Sequence, residues 1–428
     1  MLSAFRNAFK IPDLRNKIIF TLCIIGVYRF GAHIPAPGVD FNKVNQVQKL
    51  AEQGGGIYGL INLFSGGALT QFAIFALGIM PYITSSIIMQ LLTVVIPRLE
   101  AYAKEGETGQ KKITQYTRYM TVVLALLQSL GIVVTANSGR LFTGIQNLFP
   151  DLTAGKTFVI VLTLTAGTAM IMWLGELITQ RGIGNGMSIL IFSSIISRLP
   201  FESTNIYKNA GGFKTAIIGG LGIAIVVAVV LVEQAQRRIP VQYAKRVVGR
   251  KLYGGSSTYI PLKVNQAGVI PIIFASSLLY LPVLASTIMQ NKPFQDFVNR
   301  NLARGDHPAY IVTYFVLIIF FTYFYTAITF NPVDVADNMK KYGGFIPGIR
   351  PGRPTAEYLD HILTRITLPG SFFLAAIAIL PFIAQSSFGI QAFPFGGTAV
   401  LIVVGVGLET MKQLESQLLM RHYEGFLK

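Results

Sequence analysis

GGGIYGLINLFSGGALTQFAIFALGIMPYITSSIIMQLLTVVIP, residues Gly54–Pro97, decides the fold class of this chain. It opens with Gly54-Gly55-Gly56, runs into a short apolar piece, Ile57–Phe64, and breaks again at Ser65-Gly66-Gly67. A long apolar run follows, Phe72–Ile96, interrupted only by Pro81. At 1.5 Å per residue, this run of roughly 25 residues predicts a helix of ~37 Å, enough to cross a bilayer. The piece before it is far too short to cross. Two readings of it are open: an amphipathic surface helix leading into the span, or a glycine-hinged re-entrant or plugging element.

Composition extends the membrane reading to the whole chain. Of 428 residues, 52% are hydrophobic and 13% charged, and the mean hydropathy is +0.54. A soluble domain carries about 25% charged residues. The net charge of +17 must therefore sit in loops, because Lys and Arg are costly at a bilayer centre. Cys23 is the one cysteine, so no disulfide within the chain is possible, and its place in the first apolar run predicts a small buried hydrophobe. The basic start followed by Ile18–Val27 resembles a signal peptide, but Tyr28-Arg29-Phe30 replaces a small-residue cleavage site. It reads as a retained first span.

Ten apolar segments are predicted to be transmembrane helices, which makes the chain an all-α polytopic membrane protein. They are Lys17–Phe30, Phe72–Ile96, Tyr119–Ala136, Phe158–Ile178, Met187–Leu199, Thr215–Val232, Ala267–Ile288, Tyr310–Phe330, Leu368–Ala384 and Thr398–Leu408. The last runs on into the amphipathic tail Glu409–Lys428. Of the 36 Lys and Arg, 25 lie in the N-terminal tail and in the loops after every second span. By the positive-inside rule both termini and the two largest basic loops, 233–264 and 331–366, face the cytoplasm. Ten spans divide into two halves of five, 1–212 and 213–428, near Gly211-Gly212. An odd number per half forces opposite orientations, the inverted-repeat arrangement with its site between the halves. Prolines inside spans two (Pro81), seven (Pro271, Pro282) and nine (Pro369, Pro381) permit bending.

Catalytic and cofactor chemistry is poorly represented. His33, His307, His361 and His422 lie in or beside loops without metal-ligand spacing, and no paired carboxylates sit within a span. Glu176, Glu233 and Glu409 are all at span ends. An ion-coupled transporter needs intramembrane acids or a charged relay. Gly182-Ile183-Gly184-Asn185-Gly186 lacks the Lys-Ser/Thr of a phosphate loop and follows a span rather than a strand. It is a tight turn.

Two loops carry more. Glu233–Lys263 concentrates Arg237, Arg238, Lys245, Arg246, Arg250, Lys251 and Lys263 around Tyr243, Tyr253 and Tyr259, with Glu233 as its single acid. Such a cluster suits phosphate, acidic membrane lipid or an acidic protein surface. In Asn331–Arg365 the run Gly343–Pro354 is too rich in Pro and Gly for a helix and predicts a stiff turn. Phe345 and Ile346 beside Arg350 form its expected protein-docking tip, with Arg353 close by.

Asn62–Leu69, Ala76–Ile83, Arg181–Gly186, Arg237–Arg246, Pro261–Asn265, Ala267–Pro271 and Phe345–Gly352 resemble, in order and from end to end, the SecY family of bacterial protein-conducting channels. The resemblance implies an hourglass pore between two inverted five-helix halves, with a lateral gate between spans two, three, seven and eight. It places the pore ring at Ile79, Ile83, Met187, Ile191, Ile273 and Ile402. Branched aliphatics dewet a narrow pore while yielding to side chains of many sizes, and the unbranched Met187 makes a softer seal. Pairs 79/83 and 187/191 share a helix face by i,i+4 spacing. The plug of the family corresponds to Ile57, Tyr58, Gly59, Leu60, Ile61, Asn62, Leu63, Phe64, Ser65, Gly66, Gly67 and Ala68. Polar gate positions are Thr84, Ser85, Ser86, Gln128, Ser276, Ser277 and Tyr280, expected to bond across the closed gate. The basic loops imply docking of the SecA ATPase and the ribosome, Arg350 toward the motor. SecE and SecG are the implied companion subunits, and signal sequences and nascent polypeptides the cargo. The resemblance places the chain in the bacterial plasma membrane, without cofactor or catalysis. A secondary solute transporter built on inverted repeats is the alternative reading, and a membrane-embedded enzyme a weaker one.

Overall fold

The computed structural model describes residues 9, 11–40, 43–44, 65–137, 148–149, 153–243, 246–248, 251–253, 257–288, 291–302, 307–388 and 397–424. The helices are α1 (Pro12–Gly31), α2 (Met80–Val95), α3 (Pro97–Lys104), α4 (Glu107–Asn137), α5 (Ala154–Arg181) and α6 (Gly186–Gln234). After a β-ribbon come α7 (Ile270–Ile288), α8 (Lys292–Asn301), α9 (Pro308–Thr329), α10 (Pro332–Lys341), α11 (Arg353–Phe388) and α12 (Gly397–Glu424). Gly211, at φ 75 and ψ 166, breaks α6 into two arms, at the boundary expected between the halves. Each of the ten apolar segments thus has a helix over all or part of it. Among the described residues, five helices are long and apolar enough to cross a membrane, or six if α2 and α3 count as one bent span.

Helix α4 turns many of its small and polar residues inward. On α4, Thr117, Thr121, Ala125, Gln128, Ser129 and Thr135 are buried, whereas Val123, Leu127, Leu130 and Val134 face outward. In water that arrangement would be unstable. In lipid it is the favoured one, because small and polar residues permit close helix contact while leucine and valine meet the acyl chains. Ser129 and Thr165 hydroxyls lie 3.4 Å apart across the α4–α5 contact. Cys23, expected to be buried, is exposed on the outer face of α1, where a thiol is as well placed in lipid as any small apolar group.

The run Phe72–Ile96 is not one helix. Residues 65–79 form successive turns, and the helix begins only at Met80. Hydrophobicity over 72–79 does not signal a helix because the backbone does not permit one: Phe72 and Gly78 both have positive φ, 45° and 58°. Extended pairing replaces the helical bonds, with Ala36 N–H donating to the Phe72 carbonyl at 2.7 Å and Ile74 N–H to the Ile34 carbonyl at 2.8 Å. Pro81 lies in the first turn of α2, where its missing N–H costs nothing, rather than kinking a helix interior. Pro271 occupies the same place in α7. The remaining 16 residues of α2 span ~24 Å. At Ile96 the chain turns by 100° into α3.

The first basic loop is a β-ribbon, which the sequence reading missed. Strand β1 (Gln236–Tyr243) pairs antiparallel with β4 (Ser257–Lys263), from Gln236↔Lys263 to Gln242↔Ser257. Between them β2 (Arg246–Val248) pairs with β3 (Lys251–Tyr253), and β5 (Gly344–Phe345) adds to the other edge of β1. Ile239, Val241 and Leu262 turn one face of the sheet onto Met339, Ile346, Leu359, Ile362 and Leu363 in a small second core. Ile346 is therefore not a docking tip: only 3% of it is exposed. The Pro-Gly run is shorter than expected as a turn, since α11 starts at Arg353 with Pro354 in its first turn.

Candidate functional site

The principal core gathers all six expected ring residues. Ile79, Ile83, Ile191, Ile273 and Ile402 belong to one buried apolar cluster, and the half-buried Met187 packs against it. Each is positioned by local backbone. Ile79 is the N-cap of α2, and its carbonyl accepts the Ile83 N–H at 3.1 Å, so the pair does share a face. Asn185 caps α6, its Oδ1 accepting from Met187 N at 3.1 Å, which fixes the start of the helix carrying Met187 and Ile191. Ile273 lies in the first turn of α7 and Ile402 in the first third of α12.

Three of these side chains, Ile191, Ile273 and Ile402, line the apolar part of a cavity of about 350 Å³. Its opposite part is polar: Glu233, Lys263, Asn265, Glu409 and Lys412 line it, near the root of the β-ribbon. Along α12 the lining runs from Ile402 to Glu409 and Lys412, and along the segment into α7 from Lys263 and Asn265 to Ile273. Charge thus lies on the ribbon side, and branched aliphatics lie further along the helices. Such a gradient admits water at one end and excludes it at the other.

Helix α7 packs on α2 and α4, and α12 packs on α6. Three of the polar positions expected to bond between α2, α4 and α7 bond within their own helices instead. Thr84 donates to the Met80 carbonyl at 3.0 Å, Ser85 to Pro81 at 2.8 Å and Ser276 to Ile273 at 2.9 Å, each within its own helix. A hydroxyl on a helix finds its own carbonyl one turn back without any partner having to be aligned. Gln128 Nε2 and Ser277 Oγ are buried without a hydrogen-bond partner, Tyr280 is buried near Ser277 in sequence, and Ser86 is half-buried.

Of the plug positions, residues 57–64 lie outside the described residues. Ser65, Gly66 and Ala68 are buried and Gly67 is half-buried. Gly66 fits a notch between α1 and α6: Arg29 Nη1 donates to its carbonyl at 3.3 Å, and a Cβ there would stand 3.1 Å from the backbone of Ser194.

The basic positions divide. Arg237 and Arg238 are exposed on β1, and the Arg238 guanidinium lies over the Tyr259 ring at 4.8 Å from its centroid. Arg246 and Lys251 lie on β2 and β3, while Lys245 and Arg250 are outside the described residues. Arg350 is exposed, Phe345 half-buried, and Arg353 is paired with Glu357 at 3.0 Å on the surface. Sequence reading also missed the Arg118–Glu176 pair, joining α4 to α5 by two bonds of 2.8 and 2.6 Å, and the Glu233–Asn265 contact at 2.8 Å. Partners 58 and 32 residues apart leave no local signal.

A sequence model of the SecY family matches residues 73–411. The chain belongs to the SecY family. A SecY relative from Streptomyces galbus, protein translocase subunit SecY, is 62% identical over 439 residues, with all of both chains covered. The solved structure described as a protein conducting channel superimposes with a TM-score of 0.65 at 17% identity, over 94% of this chain and 91% of that one. Sec61 from a canine ribosome-channel complex of the endoplasmic reticulum gives 0.61 at 16% identity, with 94% and 91% covered. At those identities the two structures speak to the fold, and the SecY fold is the one this chain adopts.

Proposed function

We infer that this chain is the channel subunit of a protein translocase, a passive gated path for unfolded secretory polypeptides that releases transmembrane segments sideways into lipid. The observation that carries the reading is a cavity lined both by charged residues at the ribbon's root and by Ile191, Ile273 and Ile402, in a chain that is 62% identical to a translocase subunit throughout. A path for many different sequences needs a constriction without specific contacts, and Ile79, Ile83, Met187, Ile191, Ile273 and Ile402 supply one. The ten helical segments divide at Gly211 into inverted halves of five, 1–212 and 213–428, with α2, α4, α7 and α9 as the lateral gate. Residues 57–68 act as the plug.

The positive-inside bias puts the ribbon, α10 and both termini in the cytoplasm of a bacterium, with the chain in its plasma membrane. The ribbon and Arg350 then face the compartment that holds the driving partners: the SecA motor, and the ribosome, whose RNA phosphates suit Arg237 and Arg238. A Sec61 neighbour is described in complex with a ribosome, in line with that assignment. SecE and SecG complete the unit.

Proteoliposomes holding the chain with SecE and SecG, supplied with SecA and ATP, are expected to protect a secretory preprotein from added protease. No protection at any SecA concentration sinks the channel reading. In the same assay Arg350→Glu reverses an exposed charge without touching the core, so the chain should accumulate normally while transport falls by about tenfold or more. Full transport with unchanged ATP turnover removes Arg350 from the docking surface.

A further inference from the structure

We propose that Asn265 is a positioning residue that couples the β1–β4 ribbon to the start of helix α7 through its bond to Glu233. The proposal rests on the channel reading above and adds to it a route by which docking on the ribbon reaches the pore.

The bonding at the ribbon's root carries it. The β1–β4 ladder ends at Gln236↔Lys263. Below that pair the two chain segments stay joined: Val264 N–H donates to the Ala235 carbonyl at 3.0 Å. One step further, Asn265 Nδ2 donates to Glu233 Oε2 at 2.8 Å and to the Gly268 carbonyl at 3.1 Å. Asn265 is 97% buried by this arrangement, since 3% of it is exposed. The side chain therefore ties the last turn of α6 to the segment leading into α7, two residues before that helix begins. Ile273 follows within one helical turn of Ile270, and Ser276 and Ser277 within two.

Two close contacts brace the connecting segment from α11 and α12. Gly370 of α11 lets the Val264 carbonyl approach so closely that a Cβ would stand 2.5 Å from it. A Cβ on Gly405 of α12 would stand 3.1 Å from Val269. A hydrogen-bonded ladder that runs unbroken into a braced connector moves as one body. A load applied to the ribbon, where the exposed Arg237 and Arg238 sit, is then delivered to the first turn of α7. If the Glu233–Asn265 bond is cut, the ladder ends one step earlier and the connector can yield while α7 stays put. Asn265 and Glu233 also line the cavity that Ile191, Ile273 and Ile402 line.

The test uses the complete translocase in proteoliposomes, with SecA, ATP and a secretory preprotein. Glu233→Ala and Asn265→Ala should each slow maximal transport by about tenfold, the size of a typical coupling between sites, while the SecA concentration giving half-maximal rate stays unchanged. Glu233→Gln keeps a side-chain carbonyl that accepts the same N–H, so it should transport within about twofold of the native rate. The double alanine variant should be no slower than either single one, because both remove the same bond. A merely structural role predicts otherwise: half-maximal SecA would rise with the loss of rate, and Glu233→Gln would not rescue. Native speed in Glu233→Ala, multiplied losses in the double variant, or a rise in half-maximal SecA each overturn the proposal. If Asn265→Ala fails to accumulate, the contrast between Glu233→Ala and Glu233→Gln decides alone. Failure of the native chain to move preprotein would instead overturn the channel reading itself.

Discussion

Tethering α2 to α7 is expected to reduce preprotein transport to background, with full recovery on release of the tether. Ile83 and Ile87 of α2 share one apolar cluster with Ile272 and Ile273 of α7, while Thr84, Ser85 and Ser276 all bond within their own helices. Gln128 Nε2 and Ser277 Oγ add a bias toward opening, because each is buried and unpartnered. A buried donor or acceptor without a partner costs about 1–3 kcal/mol, and water or an arriving signal sequence can supply the missing bond. In lipid the apolar surfaces gain little from remaining together, so the closed contact separates at modest cost. A covalent link cannot separate. The measurement places one cysteine among Thr84–Ile87 and one among Ser276–Tyr280, in a Cys23→Ser background because Cys23 is exposed. A short thiol crosslinker then closes the pair. Protease-protected preprotein should vanish with crosslinking and return when a linker long enough to let the helices part is used. Undiminished transport through a fully crosslinked pair would mean that α2 and α7 do not separate, and the lateral gate would have to lie elsewhere.

Most of the membrane architecture was legible because lipid is an unforgiving solvent. Apolar segments long enough to cross can be counted, and nine of the ten predicted segments lie wholly or almost wholly within helices. The exception is instructive. Phe72–Ile96 is uniformly apolar, yet its first eight residues are turns held by pairing with 34–36. Hydrophobicity reports where a residue sits, not which backbone it takes, and a glycine with positive φ at position 78 looks in sequence like any other glycine. The ribbon failed for a different reason. Ile239, Val241 and Leu262 alternate with exposed neighbours in the period-2 pattern of a half-buried strand, but the arginines drew the reading toward charge alone. Ile346 was misplaced because its burial depends on Leu359 and Ile362, which arrive from a separate helix. Of the candidate site, the ring positions came from family likeness. Their common apolar cluster could not have been inferred from spacing, which relates only Ile79 to Ile83 and Met187 to Ile191.

Ile402→Asn should turn the closed channel into an ion leak. Ile402 is fully buried and lines the aliphatic part of the cavity with Ile191 and Ile273. Only apolar surface keeps water from continuing through a constriction of that kind, because a narrow apolar passage empties spontaneously. An amide at this position brings two donors and an acceptor into a wall shared with Ile191 and Ile273, whose side chains offer no hydrogen-bond partner. Leaving them dry costs about 1–3 kcal/mol, so hydration of the constriction becomes the cheaper outcome. Once wet, the passage conducts, and vesicles holding the variant should lose an imposed potassium gradient at least about tenfold faster than vesicles holding the native chain. Ile402→Val separates polarity from volume: it removes one methylene, costs about 0.5–1.5 kcal/mol of packing and leaves the surface apolar. The valine variant should remain tight. Equal leakage from valine and asparagine would locate the effect in lost packing, and an asparagine variant as tight as the native chain would move the seal away from this ring to the plug region before Ser65.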